Sequence, residues 1–187
     1  MRTVTDAELR DGLRAALGIR RWVDEVVAAG PFDDLATLLS SASHAARSLT
    51  DAEIDEAMAH HPRIGEKPVG AGAAQEFSRA EQGSIISDAA QDDAAVATAI
   101  AAGNAAYEQR FGRVFLIRAA GRSRSEILAE LSRRLQLDEA SELAIVAEQL
   151  RQIALLRLES RFGGTAAGSN AISTSTSTST PTQGTSP

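Results

Sequence analysis

Apolar positions recur along most of the chain at three- and four-residue intervals, and the recurrence breaks only at a few glycines, prolines and polar clusters. Leu9, Leu13, Ala16 and Leu17 form one stripe behind the capping-box pattern Thr5-Asp6-Ala7-Glu8, which predicts a first helix ending near Gly18. Trp22, Val23, Val26 and Val27 predict a second from about Arg20 to Gly30-Pro31, where glycine terminates and proline cannot continue. Trp22 on this stripe reads as core. Phe32, Leu35, Leu38 and Leu39 give a third segment from about Asp33. Thr50-Asp51-Ala52-Glu53 repeats the capping box and opens a fourth helix. That helix should stop near His61, because Pro62 disfavours helical backbone in the residue before it.

Residues 67–74 carry Pro68, Gly70 and Gly72 without periodicity, so a loop able to close over a ligand is expected there. Ser78-Arg79-Ala80-Glu81 has N-cap spacing. Closing that capping box is the simplest role for Glu81, and a helix N-terminus would also suit an anionic ligand. Residues 87–111 read as one long helix with a small-residue face at Ala94, Ala97, Ala101 and Ala105, weakened by Gly103 and ended by Gly112. Asn104, Tyr107 and Phe111 share a face and are expected to pack beneath a site.

Val114-Phe115-Leu116-Ile117 is the one run that resembles a strand, but no second strand is in view to pair with it. Extended backbone outside a sheet has N–H and C=O groups that must find side chains, water or a ligand. Two roles stay open for it, an edge that binds a urea-like molecule or an apolar connector bonded to neighbouring helices. Ser123-Arg124-Ser125-Glu126 caps a helix through Leu135, and a final helix carries Leu143, Val146, Leu150, Ile153 and Leu158. Arg157 is a cation on that apolar face. It either pairs with an internal carboxylate or points into a pocket toward substrate.

The elements predict an all-α single-domain bundle of about seven or eight helices over residues 1–164, followed by a disordered Ser/Thr-rich tail at 165–187. Composition agrees, since 43% hydrophobic with only 4% aromatic residues favours close-packed helices over a sandwich. A net charge of -6 disfavours nucleic acid and anionic membranes as partners. Without cysteine there is neither disulfide nor thiolate metal site. No signal-like or membrane-length apolar run is present, so a cytoplasmic protein is expected.

The candidate chemistry is concentrated in His60-His61-Pro62-Arg63-Ile64-Gly65-Glu66-Lys67. Histidine titrates at about 6.5, and Arg63 and Glu66 stand near enough in sequence to tune it. Adjacent histidines are poorly spaced for joint chelation, so no metal is expected. The bland alternative is a helix C-terminus with histidines on its dipole.

His-Pro-Arg-Ile-Gly at 61–65, Ser78-Arg79-Ala80-Glu81-Gln82, Asn104-x-x-Tyr107-x-x-x-Phe111-Gly112, Phe115-Leu116-Ile117-Arg118-Ala119 and Leu156-Arg157-Leu158 occur in an order that resembles the OHCU decarboxylase family over roughly residues 5 to 162. That family converts 2-oxo-4-hydroxy-4-carboxy-5-ureidoimidazoline to S-allantoin, without cofactor or metal. The resemblance implies that His61 transfers the proton, Glu81 is its acid–base partner or substrate anchor, and Arg157 clamps a substrate oxygen. It further implies a binding surface of Pro62, Ser78, Arg79, Ala80, Gln82, Phe115, Leu116, Ile117, Arg118 and Ala119, and a possible homodimer. Phe77 replaces a frequent tryptophan and keeps an aromatic wall, and Arg118 replaces a frequent cysteine and puts that contact in question. A non-catalytic helical interaction module, or another small-molecule lyase on the same fold, is the competing reading.

Overall fold

The computed structural model describes residues 4–59, 61–66, 73–83, 85 and 90–163. Among them are eight helices and no strand: α1 (Asp6–Ala16), α2 (Arg20–Ala28), α3 (Leu35–Ala45), α4 (Asp51–Met58), α5 (Ala73–Gly83), α6 (Ala90–Phe111), α7 (Arg124–Arg134) and α8 (Glu139–Phe162). The all-α expectation holds. His60, the 67–72 part of the expected loop and the 165–187 tail lie outside the described residues.

Helix starts follow the caps read from sequence. Thr5 with Glu8, Thr50 with Glu53 and Ser123 with Glu126 each make both reciprocal capping-box bonds, while Asp34 and Asp138 cap α3 and α8. Each such cap contributes about 1 kcal/mol. Ser78 is the exception. It lies inside α5 rather than at its start, because Ala73-Ala74-Gln75-Glu76 is a run of strong helix formers that begins the helix earlier. Glu81 therefore closes no capping box, and no helix N-terminus faces a ligand at this point. The same three-residue spacing instead puts Ser78 and Glu81 on one helix face.

Two apolar clusters form the interior. The first joins α1, α2, α3, α4 and α8 through Leu13, Trp22, Leu38, Ile54, Val146 and Leu158, with the Trp22 indole donating to the Ala42 carbonyl at 2.9 Å. The second joins α6 and α7 through Ile100, Tyr107, Ile127 and Leu131, with Ile64 and part of the 115–119 segment. Gly103 is what lets α6 and α7 approach. A Cβ there would stand 2.5 Å from Leu131 Cδ2, so the helix-weakening glycine serves packing.

Segment 115–119 runs along the seam. Leu116 enters the first cluster, whereas Phe115, Ile117 and Ala119 enter the second. Alternation with a period of two is the signature of extended backbone, as the unpaired strand-like run predicts.

Candidate active site

The α4 helix ends at Met58, and the His61 amide still reaches back to the Met58 carbonyl at 3.1 Å before Pro62 turns the chain away. His61 is half-buried. Gly65, at φ +87, completes the turn in a conformation that side chains rarely adopt. Three side chains then hold the turn in place. The Gly65 amide donates to Gln82 Oε1 at 3.1 Å, Gln82 Nε2 donates to the Arg63 carbonyl at 3.4 Å, and Asn104 Nδ2 donates to the Ile64 carbonyl at 3.0 Å. Arg63 is engaged by Glu108 on α6, Nη2 to Oε2 at 2.7 Å, and more weakly by Glu66 at 3.3 Å. The Arg63 guanidinium holds the Glu108 carboxyl below its ordinary range.

Ser78, Glu81 and Gln82 occupy i, i+3 and i+4 of α5 and so face one direction. Across from them Arg157 leaves α8. Its Nε donates to Glu81 Oε1 at 2.7 Å and its Nη2 to Glu81 Oε2 at 2.9 Å, a bidentate pair. Nη2 also reaches Ser78 Oγ at 3.3 Å, and Nη1 reaches the Ala16 carbonyl at the end of α1 at 3.2 Å. The Phe77 ring lies 5.8 Å from the Arg157 guanidinium carbon and forms the aromatic wall. Of the two roles the sequence leaves open, Arg157 adopts the internal pair.

The third wall is the 115–119 segment. Arg134 Nη1 donates to the Leu116 carbonyl at 2.7 Å, and the Arg118 amide donates to Gln149 Oε1 at 2.8 Å. In extended backbone the residue between them turns its own amide and carbonyl to the opposite side. That residue is Ile117, 5% exposed, and among the described residues its N–H and C=O have no hydrogen-bond partner. A buried and unsatisfied backbone pair is costly unless a ligand or water completes it.

These walls enclose a recess of about 30 Å³ lined by His61, Pro62, Ile64, Ser78, Glu81, Gln82, Phe115, Leu116, Ile117, Ala119 and Ile153. Nine positions singled out in the sequence thus converge from three distant stretches. Others do not. Arg79 and Ala80 are exposed on α5, and the Arg118 side chain lies in a separate depression with Gln152, Leu155, Leu156 and Glu159. A larger cavity of about 410 Å³ adjoins the recess between α6, α7 and the 63–66 turn, with Ile64 and Gln82 lining both. Among the described residues, no cluster of three or more His, Cys, Asp or Glu is placed to hold a metal ion.

Sequence reading missed the support behind the third wall. Arg134 and Glu142 are both 0% exposed and form an ion pair, Nε to Oε2 at 3.1 Å, to which the Tyr107 hydroxyl adds a hydrogen bond on Glu142. Burial, followed by that bond to Glu142, raises the Tyr107 phenol above its ordinary range. The signal was present. Arg134 follows Ile127 and Leu131 on the apolar face of α7, and Glu142 precedes Val146 and Leu150 on that of α8, the same anomaly that drew attention to Arg157.

The chain is an all-helical domain that brings an imidazole, a carboxylate held by a guanidinium and a backbone edge without a partner among the described residues to one small recess. More particularly, the chain belongs to the OHCU decarboxylase family, whose profile matches residues 2–159. The uric acid degradation bifunctional protein TTL of Arabidopsis thaliana is 31% identical over 111 residues, which cover 59% of this chain and 34% of that protein. The match thus spans about a third of that relative's length. A crystal structure of OHCU decarboxylase in the presence of (S)-allantoin aligns with a TM-score of 0.65 at 23% identity, covering 82% of this chain and 98% of that one. One of (S)-allantoin synthase aligns at 0.57 and 17% identity, covering 85% and 51%. At these identities the two structures establish a common fold. No helix among the described residues is long and apolar enough to cross a membrane.

Proposed function

We propose that the protein decarboxylates 2-oxo-4-hydroxy-4-carboxy-5-ureidoimidazoline to S-allantoin in urate degradation. The observation that carries this reading is the convergence of His61, Ser78, Glu81, Gln82 and the Ile117 backbone on one recess. Family membership and the names of the relatives support the substrate class.

The chemistry needs little from the protein beyond positioning. When the bond between the ring carbon and the carboxylate breaks, its electron pair forms a double bond to the neighbouring ring carbon, the C=N pair moves onto the ring nitrogen, which takes a proton from water, and carbon dioxide departs. The substrate supplies its own electron sink. What remains is an enol whose hydroxyl must lose a proton while the neighbouring carbon gains one. In this reading His61 receives the hydroxyl proton and delivers one to that carbon from its own side, which fixes the S configuration. Glu81 orients the imidazole or anchors the substrate, and Arg157 exchanges part of its hold on Glu81 for a substrate oxygen. The Ile117 N–H and C=O offer a donor and an acceptor side by side, the complement of an amide or ureido group.

At about 30 Å³ the recess holds a water or two, so substrate entry must widen it. Opening the Glu81–Arg157 pair supplies both room and a free guanidinium edge.

The test is an assay on freshly generated substrate that follows carbon dioxide release and the chirality of the allantoin formed. Acceleration over spontaneous decay with enrichment in the S product supports the reading. Unaccelerated decay to racemic allantoin overturns it.

A further inference from the structure

The third wall of the recess is fixed from behind by two side chains that never enter it. Arg134 on α7 holds the Leu116 carbonyl at 2.7 Å, and Gln149 on α8 holds the Arg118 amide at 2.8 Å. The two held groups flank Ile117, which makes neither of these bonds. Because they lie two residues apart on the same edge of extended backbone, holding them sets the rotation of the intervening peptide units about the chain axis. That rotation determines where the Ile117 N–H and C=O point. With Ile117 5% exposed and its backbone without a hydrogen-bond partner among the described residues, the two held groups set the orientation that a ligand meets.

We infer that Gln149 and Arg134 are positioning residues for substrate recognition, acting through the backbone of residues 116–118 to aim the Ile117 amide and carbonyl into the recess. The inference rests on the decarboxylase reading in so far as the recess is the substrate site. The two positions divide the work differently. Arg134 is wholly buried with its charge balanced by Glu142, so it belongs equally to the fold. Gln149 is only half-buried, and among the described residues its side chain makes one hydrogen bond, the one from the Arg118 amide. It can be altered with little effect on the core.

Gln149→Met keeps side-chain length and helix preference but removes the acceptor, whereas Gln149→Glu keeps an acceptor at the same reach. Two measurements are made on the full chain. Amide hydrogen exchange is followed across residues 115–119, and KM and kcat are measured with freshly generated ureidoimidazoline. Gln149→Met is expected to speed exchange at Arg118, whose amide loses its acceptor, and to raise KM about 5-fold, the equivalent of one net hydrogen bond. The melting temperature and kcat should stay close to wild type, and Gln149→Glu should restore both exchange and KM. Unchanged exchange at Arg118 overturns the inference, as does a Gln149→Met protein with loosened backbone and unchanged KM. A drop in melting temperature with KM unmoved assigns Gln149 to the fold and also overturns it. Wild-type protein inert toward the substrate overturns the decarboxylase reading instead, and the exchange arm then decides the positioning role alone.

Discussion

The Arg157 guanidinium holds both carboxylate oxygens of Glu81 in a fork, at 2.7 and 2.9 Å, and thereby ties the last helix to the helix that carries Ser78 and Gln82. Arg157→Met should therefore raise KM and also lower stability, since it removes the guanidinium from a partly buried Glu81 and from the Ala16 carbonyl. Glu81 is 21% exposed, so water softens the loss to about 1–3 kcal/mol. Glu81→Gln should lower kcat with a smaller change in melting temperature. Saturation kinetics and melting curves on both variants decide the matter, and an unstable Arg157→Met protein with wild-type KM would move Arg157 out of the site.

His61→Asn should cut the rate about 10²–10⁴-fold, the range of a positioned acid–base group, and leave far-ultraviolet circular dichroism unchanged. His60→Asn should do far less. Because the substrate also decays unaided, product chirality is the sharper readout: S-enriched from wild type and nearly racemic from His61→Asn. Stereospecific product at near wild-type rate removes His61 from the role.

Arg134 and Glu142 are a buried pair, so either partner alone is a liability. Arg134→Met should lose about 3–5 kcal/mol in chemical denaturation, whereas the double variant Arg134→Met with Glu142→Leu should recover most of it. Losses that simply add would show that the two side chains act independently.

The cap of α4 gives a pH dependence. Hydrogen bonding from Arg21, reinforced by Thr50, lowers the Glu53 carboxyl from 4.5 to about 2 in the folded protein. Because the folded value lies below the unfolded one, the stabilisation is present in full above pH 4.5 and is lost as pH falls toward 2. Arg21 is exposed, so solvent screening limits the contribution to about 1 kcal/mol. Glu53→Gln should destabilise at pH 6 and match wild type near pH 2, which melting curves across that range will show.

Much of this was legible because helix caps and apolar stripes are local. Thr5, Thr50 and Ser123 announce their helices through residues three positions away, and the stop at Pro62 follows from the sterics of a single peptide unit. Ser78-x-x-Glu81 failed for the same local reason, since one spacing fits both a capping box and a shared helix face. What pattern cannot supply is partnership across the chain. Arg157 was visible as a misplaced cation, but that Glu81 answers it, 76 residues away, is a property of the packed helices. Arg134 carries the same signal, a cation on an apolar helix face, and the Gln149 bond to the Arg118 amide leaves no trace in periodicity.

The α8 helix packs on α1, α3 and α4, and Arg157 reaches back to the carbonyl of Ala16. During synthesis the first four helices thus emerge well before the surface that covers them. At the usual 5–20 residues per second, roughly one hundred residues separate Ile54 from Leu158, an interval of about 5–20 s. Through that interval the faces bearing Leu13, Trp22, Leu38 and Ile54 are open to other nascent chains and to chaperones. Lesions in α8 that spare the recess should consequently appear in cells as reduced soluble yield, while the molecules that do mature turn over normally.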